Sequence, residues 1–131
     1  MYELSKQFRF EAAHTLEREI EAAPGIDVGA SRRVHGHSYR AEVSVRGWPA
    51  PATGMIVDLG VLERSLARVR DRLDHHFLND VAGLGPTTLE NLSAFIWRSL
   101  VEDGVAPARV TVARDASGDA CAYTGPEDPE S

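Results

Sequence analysis

An α+β fold, a four-stranded antiparallel sheet with two helices on one face, is what the hydrophobic pattern predicts. Three observations carry it. Apolar residues alternate at period two toward both ends of the chain. They step by three and four across the middle. Glycine- and proline-rich breaks fall where the period changes. The order that results is two strands, two helices, two strands. At 131 residues the chain is sized for one core rather than two.

Phe8, Phe10, Ala12 and His14 share one side of the first period-two segment. From Ala13 to about Val34 there is no period, only acids (Glu17, Glu19, Glu21) and turn residues (Pro24, Gly25, Gly29). A loop from Thr15 to Arg33 is therefore expected, mobile in the free protein and placed to cover whatever its two flanking strands carry. Alternation returns at His35. His35, His37, Tyr39, Ala41, Val43 and Val45 fall on one side, and Ser38, Arg40, Glu42, Ser44 and Arg46 on the other. That is a long strand with one wet face. Gly47-Trp48-Pro49-Ala50-Pro51 ends it, and Met55-Ile56-Val57 reads as a short extended piece.

Leu59, Leu62, Leu66, Val69 and Leu73 then make a helical stripe, with Asp58 at its N-cap and Arg64, Arg68, Arg70 and Arg72 on a solvated face. A second helix opens at Pro86-Thr87-Thr88-Leu89-Glu90. Thr87 and Glu90 have capping-box spacing, Leu89, Leu92, Ile96 and Leu100 form the stripe, and Gly104 is the stop. Val110 and Val112 begin a strand, Asp115 to Asp119 turn, and Ala120 to Tyr123 return as its partner. Residues 1–124 read as one domain and 125–131 as a disordered polar tail.

Composition narrows the function. A net charge of −6 argues against a general nucleic-acid binder, which needs a basic surface. No apolar run approaches the roughly 20 residues of a membrane span. Cys121 is the single cysteine, so no internal disulfide forms, and a packed thiol suits the reducing cytosol. Met1 to Lys6 lacks the basic and apolar regions of a secretory signal, and a cytoplasmic location is expected.

All five histidines fall in clusters: His14, His35 with His37, and His75 with His76. Residues two apart on a strand point the same way, so His35 and His37 can reach one metal ion, with Gly36 leaving the backbone room. His14, on a neighbouring strand, can supply a third nitrogen. Three imidazoles would leave the fourth position open, as in a catalytic zinc site. The same spacing also arises by coincidence on ordinary strands. Asp74 beside His75 can orient a proton-moving imidazole, or His75 can simply suit the negative end of a helix. Thr87, Thr88 and Glu90 can line a ligand pocket, though capping alone explains them.

Five segments carry a resemblance when taken in order. They are Phe10-Glu11-Ala12-Ala13-His14, Val34-His35-Gly36-His37-Ser38-Tyr39, Gly54-Met55-Ile56-Val57-Asp58-Leu59, Leu73-Asp74-His75-His76-Phe77-Leu78-Asn79-Asp80 and Pro86-Thr87-Thr88-Leu89-Glu90-Asn91. Together they resemble the 6-pyruvoyl-tetrahydropterin synthase / 6-carboxytetrahydropterin synthase family, over about Lys6 to Tyr123. The resemblance implies a tunnelling fold (T-fold), in which sheets from three copies close one barrel and two trimers stack as a hexamer. It implies Zn2+ held by His14, His35 and His37, a Cys-Asp-His set that moves protons, and pterin contacts supplied across a subunit boundary. The small-molecule substrate it implies is a pterin-like heterocycle, with 7,8-dihydroneopterin triphosphate the parent.

Two positions depart from the family. Ser31 stands where the catalytic cysteine is expected, four residues before His35, and a serine hydroxyl is a far weaker base than a thiol. Arg114 follows Val110-Thr111-Val112-Ala113 where the family has the glutamate that grips the pterin edge, and a guanidinium only donates. Asp115 is adjacent but alternates to the other face. The expectation is a zinc-dependent lyase with Asp74, His75 and Ser31 as catalytic residues, and with Arg114, Thr87 and Thr88 on the substrate. The alternative is a non-catalytic metal- or ligand-binding member that keeps the scaffold.

Overall fold

The computed structural model describes residues 1–17 and 32–126. Four strands, β1 (Tyr2–His14), β2 (His35–Gly47), β3 (Arg109–Arg114) and β4 (Asp119–Tyr123), form one antiparallel sheet in that order. Helices α1 (Leu59–Leu73) and α2 (Leu89–Glu102) lie between β2 and β3 in the chain, joined through a one-turn 3-10 helix at Leu78–Asp80. Ser31, the expected loop and the end of the tail fall wholly or largely outside the described residues.

β1 begins six residues before the alternation at Phe8. Tyr2 pairs with Gly47, and the ladder runs without a break to His14 opposite His35. Backbone pairing with the equally long β2 thus extends the strand beyond its own side-chain pattern. Met55–Val57, expected to be extended, forms no strand and lies in the irregular approach to α1.

One face of the sheet is apolar and both helices cover it. Phe10 stacks on Tyr39 with ring centroids 4.8 Å apart. They join Ala41, Val43, Val110 and Val112 in one buried cluster with Leu62, Leu66, Leu73, Leu92, Ile96 and Leu100 of the helices. Each buried leucine contributes about 1.5–3 kcal/mol, so this stripe is what holds the helices on the sheet. The N-cap of α1 is Asp58, whose Oδ1 accepts from the Gly60 amide at 2.8 Å.

The N-cap of α2 is Thr88, not Thr87. Thr88 is extended (φ −89°, ψ 163°) and its side chain accepts from the Asn91 amide at 3.1 Å. The helical turn starts only at Leu89. Glu90 then lies two residues past the cap, one short of the capping-box spacing. At the far end Gly104 takes φ +87°, where a Cβ would be strained.

Outside the helices, the segment after α1 seals one end of the β1 edge. The His75 amide donates to the Glu11 carbonyl at 2.6 Å, and the Ala13 amide to the His76 carbonyl at 3.2 Å.

Candidate metal centre and the cavity beside it

The β1–β2 register builds the centre. His14 is opposite His35 and Ala12 is opposite His37, so the face that carries Phe10 and Tyr39 inward also carries all three imidazoles together. Their ligand nitrogens lie within 4.8 Å of one another. The His14 and His37 Nε2 atoms are 3.1 Å apart. Gly36 matters here, because a Cβ on it would sit 3.3 Å from the Ala12 carbonyl oxygen of the paired strand.

The outer nitrogens orient the rings. His14 Nδ1 faces the Thr87 hydroxyl at 2.9 Å and the Thr87 carbonyl at 3.1 Å. The Thr87 hydroxyl donates its own proton to the Thr15 carbonyl at 3.1 Å, so its lone pair is what the imidazole meets. His35 Nδ1 lies 2.8 Å from the Arg33 carbonyl. Carbonyls only accept, so both rings carry their proton on Nδ1 and turn the Nε2 lone pair inward. Metal-binding histidines are held in this way.

Burial and nearby charge favour the neutral form of His14 and His37. Burial, then the Arg114 cation and the other two rings, push His37 down to about 4. Burial, then His35, lower His14 as well, against the opposing pull of its bond to Thr87. Neutral imidazole is the form a metal takes. The donor set therefore fits zinc: three nitrogens, no thiolate, pre-oriented lone pairs.

Beside the cluster is a cavity of about 160 Å³ lined by His14, Tyr39, Thr87, Thr88, Glu90 and Arg114 among others. The expected substrate residues Thr87, Thr88 and Arg114 thus share one cavity with His14, an expected metal ligand. Both threonine hydroxyls are already committed, Thr87 to His14 and Thr88 to the helix cap. Arg114 directs Nη2 to Asp119 across the β3–β4 ladder, and its Nη1 lies 3.4 Å from His37 Nε2. Its Nε is buried with no partner among the described residues. Asp119 went unnoticed in the sequence; only the cross-strand pairing of Arg114 with it gives the signal. Asp115 lies on the polar face, where Arg40 donates to it from 3.1 Å and Arg9 lies 3.5 Å away. The Arg40 guanidinium holds its carboxyl below the usual range.

Asp74 and His75 sit apart from the cluster. Among the described residues no hydrogen bond, ion pair or ring contact joins them to it. Asp74 Oδ1 accepts from the Glu11 amide at 2.9 Å, and Oδ2 lies 3.7 Å from His75 Nε2. His75 takes φ +58°, the one non-glycine residue among those described with a left-handed backbone. It lines a second, larger cavity of about 470 Å³ with Glu11, Gly36, His37, Ser38 and His76 among others. Left-handed backbone at an exposed histidine is costly, and the bond from its amide to β1 is what holds it there.

A family model described as 6-pyruvoyl tetrahydropterin synthase matches residues 3–126. A 6-carboxy-5,6,7,8-tetrahydropterin synthase of Synechocystis sp. is 39% identical over 110 residues, which covers 80% of this chain and 79% of the relative. A 6-pyruvoyl tetrahydrobiopterin synthase of Drosophila melanogaster is 33% identical over 105 residues, 74% of this chain and 62% of the relative. The structure of Caenorhabditis elegans 6-pyruvoyl tetrahydropterin synthase superposes with a TM-score of 0.78 at 25% identity, covering 95% of this chain and 96% of that one.

Proposed function

Because the chain belongs to the 6-pyruvoyl tetrahydropterin synthase family, we propose that it is a zinc-dependent lyase acting on a pterin-like heterocycle, with His14, His35 and His37 as the metal ligands. The observation that carries this reading is the trihistidine cluster, with its two Nδ1 anchors and inward Nε2 lone pairs. Bound there, zinc supplies Lewis acidity toward a carbonyl or hydroxyl oxygen.

The chain's own residues do the rest. His75, with Asp74 beside it, moves the proton as general acid and base. Ser31 stands in the place of the family's cysteine and depends on a neighbour to activate it. Thr87, Thr88 and Arg114 contact the substrate from the cavity wall. Self-association as a trimer or hexamer closes the T-fold barrel, and two features support it. Among the described residues the β1 edge is sealed by main-chain bonds only near Glu11 and Ala13, and β4 forms the other edge of the sheet; open edges favour pairing with further strands. Within one chain, moreover, His75 lines a cavity with His37 while Thr87, Thr88 and Arg114 line another with His14. A neighbouring copy is what brings proton shuttle and substrate contacts to one substrate.

What supports the second reading, a metal- or ligand-binding member without turnover, is the Arg114 guanidinium in the cavity wall, where the resemblance implies a substrate-gripping glutamate. One experiment separates the two. Protein purified without chelators is assayed for zinc by mass spectrometry and for turnover of a heterocycle panel, with and without chelator. The lyase reading expects one zinc per chain and chelator-sensitive turnover of some panel member. It expects very weak turnover of 7,8-dihydroneopterin triphosphate, which the double change Ser31→Cys with Arg114→Glu should raise above either single change. Stoichiometric zinc with no turnover anywhere favours the binding protein.

A further inference from the structure

Resting on the zinc reading above, we propose that Asn79 is a positioning residue of the metal centre. Its carboxamide clamps the main chain of Thr15, the residue after His14. Through Thr15 it fixes the Thr87 hydroxyl that orients the His14 ring.

The clamp closes a short ladder. After α1 the chain runs parallel to β1, with Ala13 bridged to Phe77. The His75 amide donates to the Glu11 carbonyl, and the Ala13 amide to the His76 carbonyl. At Leu78 the chain turns into the 3-10 helix, whose Asp80 and Val81 amides bond back to Phe77 and Leu78. The main chain there is spent on its own turn, and a side chain continues the pairing. Asn79 Oδ1 accepts from the Thr15 amide at 2.9 Å, and Nδ2 donates to the Thr15 carbonyl at 3.1 Å. A carboxamide holds a carbonyl acceptor and an N–H donor side by side, as a peptide unit does. Thr15 fixes which end is which, because its amide only donates and its carbonyl only accepts.

Thr15 needs such a clamp. The β1–β2 ladder ends at His14 opposite His35, so no strand partner holds the next residue. Asn79 is exposed, while Leu78 beside it is buried and anchors the turn. Packing therefore does not account for an asparagine here, and the two bonds to Thr15 do.

The consequence reaches the imidazole through one carbonyl. The Thr15 oxygen has two lone pairs: one takes Asn79 Nδ2, the other the Thr87 hydroxyl at 3.1 Å. That commits the Thr87 proton and leaves a Thr87 lone pair facing His14 Nδ1 at 2.9 Å. Without Asn79 the Thr15 carbonyl is free to leave Thr87, and the hydroxyl is free to turn its proton on Nδ1. The ring then carries its own proton on Nε2, the nitrogen turned into the cluster. The Thr87 carbonyl, 3.1 Å from Nδ1, opposes that change, so the loss is partial.

The test is zinc affinity, by competition with a chromophoric chelator, in wild type, Asn79→Ala, Thr87→Val and the double variant. Asn79→Ala should bind zinc about three- to tenfold more weakly. In the Thr87→Val background the same change should cost less than about twofold, because the hydroxyl it acts through is gone. A second readout is the His14 tautomer in metal-free protein, from nitrogen-15 chemical shifts. Wild type should hold the proton on Nδ1, and Asn79→Ala should add the form protonated on Nε2. Where Asn79→Ala does not fold, Asn79→Asp replaces it in the cycle: it keeps the acceptor for the Thr15 amide and loses the donor to the carbonyl. Its added charge acts in both backgrounds and cancels in their ratio. Wild-type zinc affinity on loss of Asn79, an equal fold-loss in both backgrounds, or an unchanged tautomer overturns the proposal and leaves the metal reading standing. A chain that takes up no zinc overturns the metal reading, and this proposal with it.

Discussion

Thr87 and Thr88 are adjacent, share a side-chain type and line one cavity, yet the structure gives them separable tasks. Thr87 is 2% exposed and its hydroxyl bridges His14 Nδ1 at 2.9 Å and the Thr15 carbonyl at 3.1 Å. Thr87→Val keeps the shape and removes both bonds. Loss of the group that orients a metal-binding histidine lowers affinity by about ten- to a hundredfold. The Thr87 main-chain carbonyl remains 3.1 Å from Nδ1, so the ring keeps one anchor and the loss belongs at the lower end. About tenfold weaker zinc binding is expected, roughly 1.4 kcal/mol. The Thr15 carbonyl keeps its bond from Asn79 Nδ2 at 3.1 Å, so the metal-free variant should lose about 1 kcal/mol of stability, the net worth of one hydrogen bond. Thr88→Ala removes the cap of α2 instead, the bond its hydroxyl accepts from the Asn91 amide. It should cost about 1 kcal/mol of stability and leave zinc affinity unchanged. Competition against a chromophoric zinc chelator reads the affinity, and denaturant unfolding of metal-free protein reads the stability. Wild-type zinc affinity in Thr87→Val, or an equal drop in Thr88→Ala, refutes the division of labour.

Three further outcomes are expected. The metal-free protein should lose stability in mild acid. His37 titrates at about 4 in the fold against 6.5 for a free imidazole, so the unfolded chain binds more protons in that window; the contribution is complete above about 6.5 and disappears as pH falls toward 4. Unfolding curves at a series of pH values check the sign, and His37→Gln should flatten part of the slope. Asp58→Ala should destabilise by about 1 kcal/mol through loss of the α1 cap, seen as a lower denaturant midpoint at unchanged slope. Leu66→Ala, at 2% exposure between α1 and the sheet, should cost about 2–5 kcal/mol in the same measurement.

What the sequence discloses of the site depends on how each residue is held. Period two alone places His35 and His37 together and puts His14 on the face of Phe10. The ladder then joins them, because a register that buries Phe10 against Tyr39 necessarily sets His14 opposite His35. Had the strands slipped by one residue, the core and the cluster would have been lost together. The four-stranded sheet and both helices are legible for the same reason: each buries a stripe whose spacing is local. Asp119 is not legible, since its pairing with Arg114 depends on where the β3–β4 turn closes. Nor is the arrangement at Asp74 and His75, which follows from main-chain bonds to a strand more than sixty residues earlier.

Thr87 shows most sharply why local reading fails. Capping-box spacing points to it because Glu90 follows three residues later. A hydroxyl has one proton and two lone pairs, and at Thr87 the proton goes to Thr15 while a lone pair faces His14, seventy-three residues away in sequence. A side chain so engaged is turned toward the cluster and away from the amides of the first helical turn. The helix then starts one residue later, with Thr88 as cap. The one-residue shift of the cap is thus a consequence of the bond between Thr87 and His14. A chain with a threonine at only one of these two positions could orient His14 or cap α2, but not both.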